Sequence, residues 1–156
     1  AFDTRSRYFH FEFFRLEEDK EGLGKKGDLV GLEVNMRAPG GCIIDMINYA
    51  YDVDAFTIWA DMLIYNKCFY DVNRKYLVGY VSRRNNTDYL HSMEEVYEKY
   101  GDKIMANMDI PPIFSDAMGD NVLLFRTKSK DEIFEIISFI LKHRSESNWF
   151  DKYTNL

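Results

Sequence analysis

Glu33, Asn35 and Arg37 stand two residues apart in Gly31-Leu32-Glu33-Val34-Asn35-Met36-Arg37-Ala38-Pro39-Gly40-Gly41. In extended backbone such residues share one face, with Leu32, Val34 and Met36 on the other. A carboxylate, an amide and a guanidinium in that order suit a divalent cation beside a phosphate. Two oxygen donors can hold the metal, and a fork-shaped cation can hold the anion. A polar strand face turned to water is the plainer account of the same spacing.

A second carboxylate strengthens the metal reading. Glu12 sits inside Tyr8-Phe9-His10-Phe11-Glu12-Phe13-Phe14, the most apolar run in the first third of the chain. It shares its face with His10 and Phe14, while Phe9, Phe11 and Phe13 face the other way. A charge in an aromatic strand is costly to bury without compensation. Antiparallel pairing of this strand with Leu29–Met36, across the polar loop Glu17–Asp28, brings Glu12 towards Glu33 and Asn35. Two carboxylates held close repel each other, so the arrangement suits a hard cation between them.

Other elements must position these strands. Apolar residues from Met46 to Leu63 recur at helical offsets, predicting a helical region over Asp45–Tyr65. Asp52-Val53-Asp54 divides it, with Asp54 capping a second helix and Asp45 expected to cap the first. Further strands are predicted over 75–84, 103–110 and 121–126, and helices over 93–99 and 131–143. Ser92-x-x-Glu95 and Ser129-x-x-Glu132 both carry the capping-box signature at the helix starts. Residues 148–156, with Trp149, Phe150 and Tyr153, are expected to dock as a tail. The order predicts an α+β chain with antiparallel strand pairs.

A Glu in a hydrophobic strand, a polar loop and then Glu-x-Asn-x-Arg on the next strand resembles the C-terminal half of an ATP-grasp domain. Asp45-Met46-Ile47-Asn48-Tyr49-Ala50-Tyr51-Asp52-Val53-Asp54 also resembles the helix and turn that follow this strand in biotin carboxylase-like and carbamoyl-phosphate-synthase-like members. Met36 and the short Pro39-Gly40-Gly41 depart from the pattern and leave the substrate class unspecified. The resemblance implies an antiparallel sheet with helices over residues 1–65, the C-terminal portion of the catalytic domain, and a small αβ lobe over 66–156. It implies an ATP-dependent carboxylate–amine or carboxylate–thiol ligase working through an acyl phosphate. Glu12, Glu33 and Asn35 then hold Mg²⁺ (or Mn²⁺) on the ATP phosphates, Asn35 and Arg37 contact the nucleotide, and Arg37 holds the reacting oxyanions. It also implies an upstream part of the same chain with phosphate-gripping lysines, and the opening on Ala1 fits that expectation. A homodimer is left open.

Composition bounds these readings. The chain has 156 residues, 46% of them hydrophobic and 16% aromatic, which excludes a disordered tail. A net charge of −6 argues against a general nucleic-acid binder, which needs clustered Lys and Arg. Cys42 and Cys68 make neither a disulfide framework nor a Cys-x-x-Cys metal pair, and reduced cysteines fit a cytoplasmic protein. No apolar run approaches a membrane span. His10, His91 and His143 are scattered, with no pair at metal-ligand spacing. Gly22-x-Gly24-Lys25-Lys26-Gly27 lacks the spacing of a phosphate-binding loop and reads as a surface turn. Two further function classes stay open. One is a non-catalytic partner-binding or regulatory module. The other is a metal-dependent phosphohydrolase using the same carboxylates.

Overall fold

The computed structural model describes residues 7–144. The predicted tail at 148–156 lies outside them. The described residues form an α+β protein whose strand pairs are antiparallel. It divides into two compact units, residues 1–48 with 53–72, and residues 49–52 with 73–156.

In the first unit, strands β1 (His10–Arg15) and β2 (Leu29–Asn35) pair antiparallel as the sequence predicts. Their connection folds on itself: Lys20 bridges Gly24, and Gly22, Gly24 and Gly27 take positive φ. Within it, Lys25 is held by Asp19 through its ammonium and by Asp28 through its backbone N–H, so this cation serves the turn. Helices α1 (Ile43–Tyr51) and α2 (Ala55–Tyr65) follow. Asp54 caps α2, accepting from the N–H groups of Phe56 and Thr57. Asp45 does not cap α1. The helix begins two residues earlier, which leaves Asp45 inside its first turn. Tyr8 donates to the carbonyl of Ala55 and meets Trp59 edge to face, tying the approach to β1 to the start of α2.

In the second unit, β3 (Leu77–Arg83), β4 (Ile104–Asp109) and β5 (Asn121–Thr127) form a sheet in the order β3-β5-β4. Central β5 is buried along Val122–Phe125. Helices α3 (Met93–Tyr100) and α5 (Lys130–Leu141) supply Val96, Tyr100, Ile136 and Ile140, which pack with Val81, Leu123 and Phe125 into one core. Ser92 closes its capping box with Glu95. Ser129 closes half of its own: its hydroxyl accepts from the Glu132 N–H, but the Glu132 carboxylate goes to Lys103 and Thr127 instead. Buried Arg83 donates through Nε and Nη2 to the Ile140 carbonyl, satisfying an acceptor in the last turn of α5. A 3₁₀ turn at Pro112–Phe114 and a short helix α4 (Ser115–Met118) precede β5. Residues 49–52 also belong here. Ala50 accepts from the backbone N–H groups of Lys75 and Tyr76, and Arg126 pairs with Asp52 while stacking on Tyr76. Among the described residues no helix is long and apolar enough to cross a membrane.

Candidate metal centre

The β1–β2 register builds the site. Glu12 lies directly across from Glu33, and His10 directly across from Asn35. Immediately beyond the Glu12–Glu33 pair the register shifts, Phe13 facing Gly31, so Leu32 is an extra residue in β2. Such a bulge bends its strand and re-aims the neighbouring side chains. Here it sits one step from the paired carboxylates.

The four side chains grade from sheltered to open. His10 and Asn35 are half-buried, with 20% of the His10 side chain exposed, whereas Glu12 and Glu33 are exposed. Nδ2 of Asn35 lies 2.9 Å from Nε2 of His10, and that same nitrogen lies 3.9 Å from Oε1 of Glu12. One donor atom each from His10, Glu12 and Glu33 falls within 4.8 Å of the others. Two ligands on opposite sides of one ion stand about 4.2 Å apart at bond lengths near 2.1 Å, a separation of the same order as the limit within which these three atoms lie. Among the described residues no Lys or Arg forms an ion pair with Glu12 or Glu33. Both carboxylates are open to water, which solvates their charge. This donor set fits a hard divalent cation.

The fold thus gathers Glu12, Glu33 and Asn35 at one end of the hairpin. Arg37 is different. Strand β2 ends at Asn35, the alternation of faces stops there, and the Arg37 guanidinium donates to the carbonyl of Ala38 at 3.0 Å. In this state Arg37 is exposed and turned onto its own backbone. His10 is the member that spacing between histidines does not reveal. Its signal is the two-residue offset from Glu12. Cys42 and Cys68 are free thiols, Cys42 half-buried with its pKa raised by burial and by nearby Asp45.

Comparison with known proteins finds no matching family model and no matching curated protein.

Proposed function

We propose that the chain is the cation-holding C-terminal part of an ATP-dependent ligase of the ATP-grasp type. It would join a small carboxylate to an amine or thiol. The observation that carries this reading is the Glu12–Glu33 cross-strand pair, flanked by Asn35 and lacking a balancing Lys or Arg among the described residues. Glu12, Glu33 and Asn35 are the residues to hold Mg²⁺ or Mn²⁺. The bound cation would neutralise charge on the ATP phosphates during transfer. The substrate carboxylate oxygen attacks the γ-phosphorus and ADP departs, leaving an acyl phosphate. The amine or thiol then attacks the acyl carbon, phosphate leaves, and the nucleophile gives up its proton. Arg37, which donates to the Ala38 carbonyl, would leave that contact to grip the oxyanions of carboxylate or acyl phosphate in a bidentate contact. The rest of the nucleotide grip belongs to an upstream part of the polypeptide, and a cytoplasmic setting fits the free thiols.

The test is Glu33→Gln in the full-length protein. Removing a direct ligand should cost more than the tenfold to hundredfold typical of outer-shell changes, so turnover should fall by about 100-fold or more while circular dichroism is unchanged. Normal turnover in Glu33→Gln overturns the metal assignment. ADP release that needs only water makes the protein a phosphohydrolase, whereas release that needs both acid and amine or thiol supports the ligase.

A second reading, a non-catalytic binding module, is favoured by the opposite face of the same hairpin. Phe9, Phe11, Phe13, Leu32 and Val34 are all exposed there, with Phe9 and Phe11 rings 5.0 Å apart. It predicts no nucleotide turnover with any acid and acceptor.

A further inference from the structure

We infer that the free edge of β1 is a self-recognition surface. Along it, two copies of this chain pair antiparallel about a twofold axis at Phe11. The inference is independent of the cation reading and stands on backbone geometry and side-chain complementarity.

β1 has a partner on one side. Among the described residues its sheet contains only β2 besides itself. Leu16, the residue after β1, donates its N–H to the Asp28 carbonyl and accepts from the Gly27 N–H, so both its backbone groups point towards β2. Backbone groups alternate sides along an antiparallel strand, so those of Phe14, Glu12 and His10 point the same way. Phe9, Phe11 and Phe13 therefore turn their N–H and C=O groups outward, where they meet no partner among the described residues. Such an edge is a template for another strand. Edges that must stay single are blunted by Lys, Pro or a bulge. β2 has its bulge at Leu32, which breaks the even spacing of its own outer groups. Phe9–Phe14 has no Lys or Pro, and the extra residue lies in β2, so β1 keeps a regular edge.

The side chains choose the occupant and its register. With the axis at Phe11, Phe11 faces the partner's Phe11 and Phe9 faces the partner's Phe13. The rings already form a ladder along β1, with Phe9 and Phe11 centroids 5.0 Å apart and Phe11 and Phe13 meeting edge to face at 6.4 Å. Pairing joins two such ladders side by side, and aromatic cross-strand pairs stabilise a sheet. On the other face, His10 comes opposite the partner's Glu12, an imidazole against an exposed carboxylate, and symmetry repeats that pair. Moving the axis to Glu12 sets two like carboxylates opposite each other. Moving it to Phe13 sets Phe11 against the partner's Arg15 and Glu12 against the partner's Phe14. Of these three, the axis at Phe11 alone matches every residue with a complementary one.

The contact is narrow. Phe9, Phe11 and Phe13 are about half exposed, so the two copies together offer on the order of 600 Å² of ring surface, less than the roughly 1,200 Å² of a standard interface even before backbone is added. The dimer therefore forms and separates with concentration, in the micromolar range.

Sedimentation equilibrium of the full-length protein, from low to high micromolar, reads the pairing. Wild type should move from monomer to dimer mass. Phe11→Pro removes an outward N–H and no bond to β2, and Phe11→Lys sets two ammonium groups on the axis. Both should stay monomeric with unchanged circular dichroism. His10→Glu places a carboxylate opposite each partner Glu12 and should weaken dimerisation at least about fivefold, and adding Glu12→Lys should restore it to within about twofold of wild type. A monomer at every concentration overturns the inference. Slow hydrogen exchange at the Phe11 and Phe13 amides of that monomer would then assign the edge to another segment of the chain. A dimer indifferent to both Phe11→Pro and Phe11→Lys also overturns it, because a different surface joins the copies. Failure of Glu12→Lys to rescue His10→Glu overturns the axis at Phe11.

Discussion

The two units use their apolar residues in opposite ways. In the second, β5 is covered on both faces, and Leu123, Leu124 and Phe125 are each 0–1% exposed. In the first, the hairpin is open on both faces, with donors for a cation on one and bare aromatic rings on the other. Of the twenty exposed large apolar side chains among the described residues, sixteen lie in the first unit. A two-stranded hairpin is marginal by itself, whereas three strands backed by two helices bury enough to stand. Cohesion is thus concentrated in the region without the Glu12–Glu33 pair. The donors sit where the chain is least constrained by packing, so their geometry rests on strand register.

The largest expected effect tests that division directly. Phe125→Ala should destabilise the second unit by about 3–5 kcal/mol in urea denaturation. Phe11→Ala, exposed on the hairpin, should change stability by less than about 0.5 kcal/mol. A Phe11→Ala loss approaching that of Phe125→Ala would break the comparison, because the hairpin face would then be covered in solution.

Two glycines sharpen it at smaller scale. A Cβ on Gly79 would lie 2.2 Å from Cζ of Phe125, so Gly79→Ala should cost about 1–3 kcal/mol in a thermal melt. A Cβ on Gly31 would meet nothing within 4 Å. Gly31→Ala should therefore be neutral or stabilise slightly, since a strand glycine gives up about 0.5–1 kcal/mol to alanine. Loss at Gly31 would mean that β2 has a neighbour.

The smallest effect is electrostatic. The Lys103 ammonium, with help from the Thr127 hydroxyl, holds the Glu132 carboxyl below its ordinary value of 4.5, and Glu132 in turn raises Lys103 above 10.5. A lowered carboxyl stabilises the fold above its unfolded value and loses that contribution as pH falls through its folded one. A raised ammonium stabilises below its unfolded value and loses that as pH rises through its folded one. The pair therefore supports the second unit between about pH 4.5 and 10.5. Both side chains are only partly covered and stay in reach of water, so the gain is small. Lys103→Met should flatten the acid limb of the stability–pH curve for the second unit. An unchanged acid limb would remove this pair from the account.

Local signals explain what the sequence made legible. Asp54 and Ser92 cap helices through bonds spanning two or three residues, so their chemistry is visible in adjacent letters. The pairing of the two Glu-bearing strands followed from one connecting loop, and with it the approach of Glu12 to Glu33. Non-local choices were hidden. Glu132 abandons its capping box for Lys103 and Thr127, a decision made by a residue 29 positions away. The order β3-β5-β4 depends on packing between distant segments. Pro112–Met118 is too short to show periodicity. The extra residue Leu32 is a property of pairing and has no compositional mark, so uninterrupted alternation overstated the regularity of β2 and carried Arg37 onto a face where the strand has already ended.

Residues 49–52 have a consequence for synthesis. They emerge in the middle of the first unit's sequence, yet their partners Lys75, Tyr76 and Arg126 come later. Asp52 precedes Arg126 by 74 residues. At ribosomal rates of about 5–20 residues per second, that interval is on the order of 4–15 s. The first unit has been made once Val72 is translated. For those seconds the Asp52 carboxylate of the nascent chain awaits Arg126, while Ala50 meets Lys75 and Tyr76 sooner.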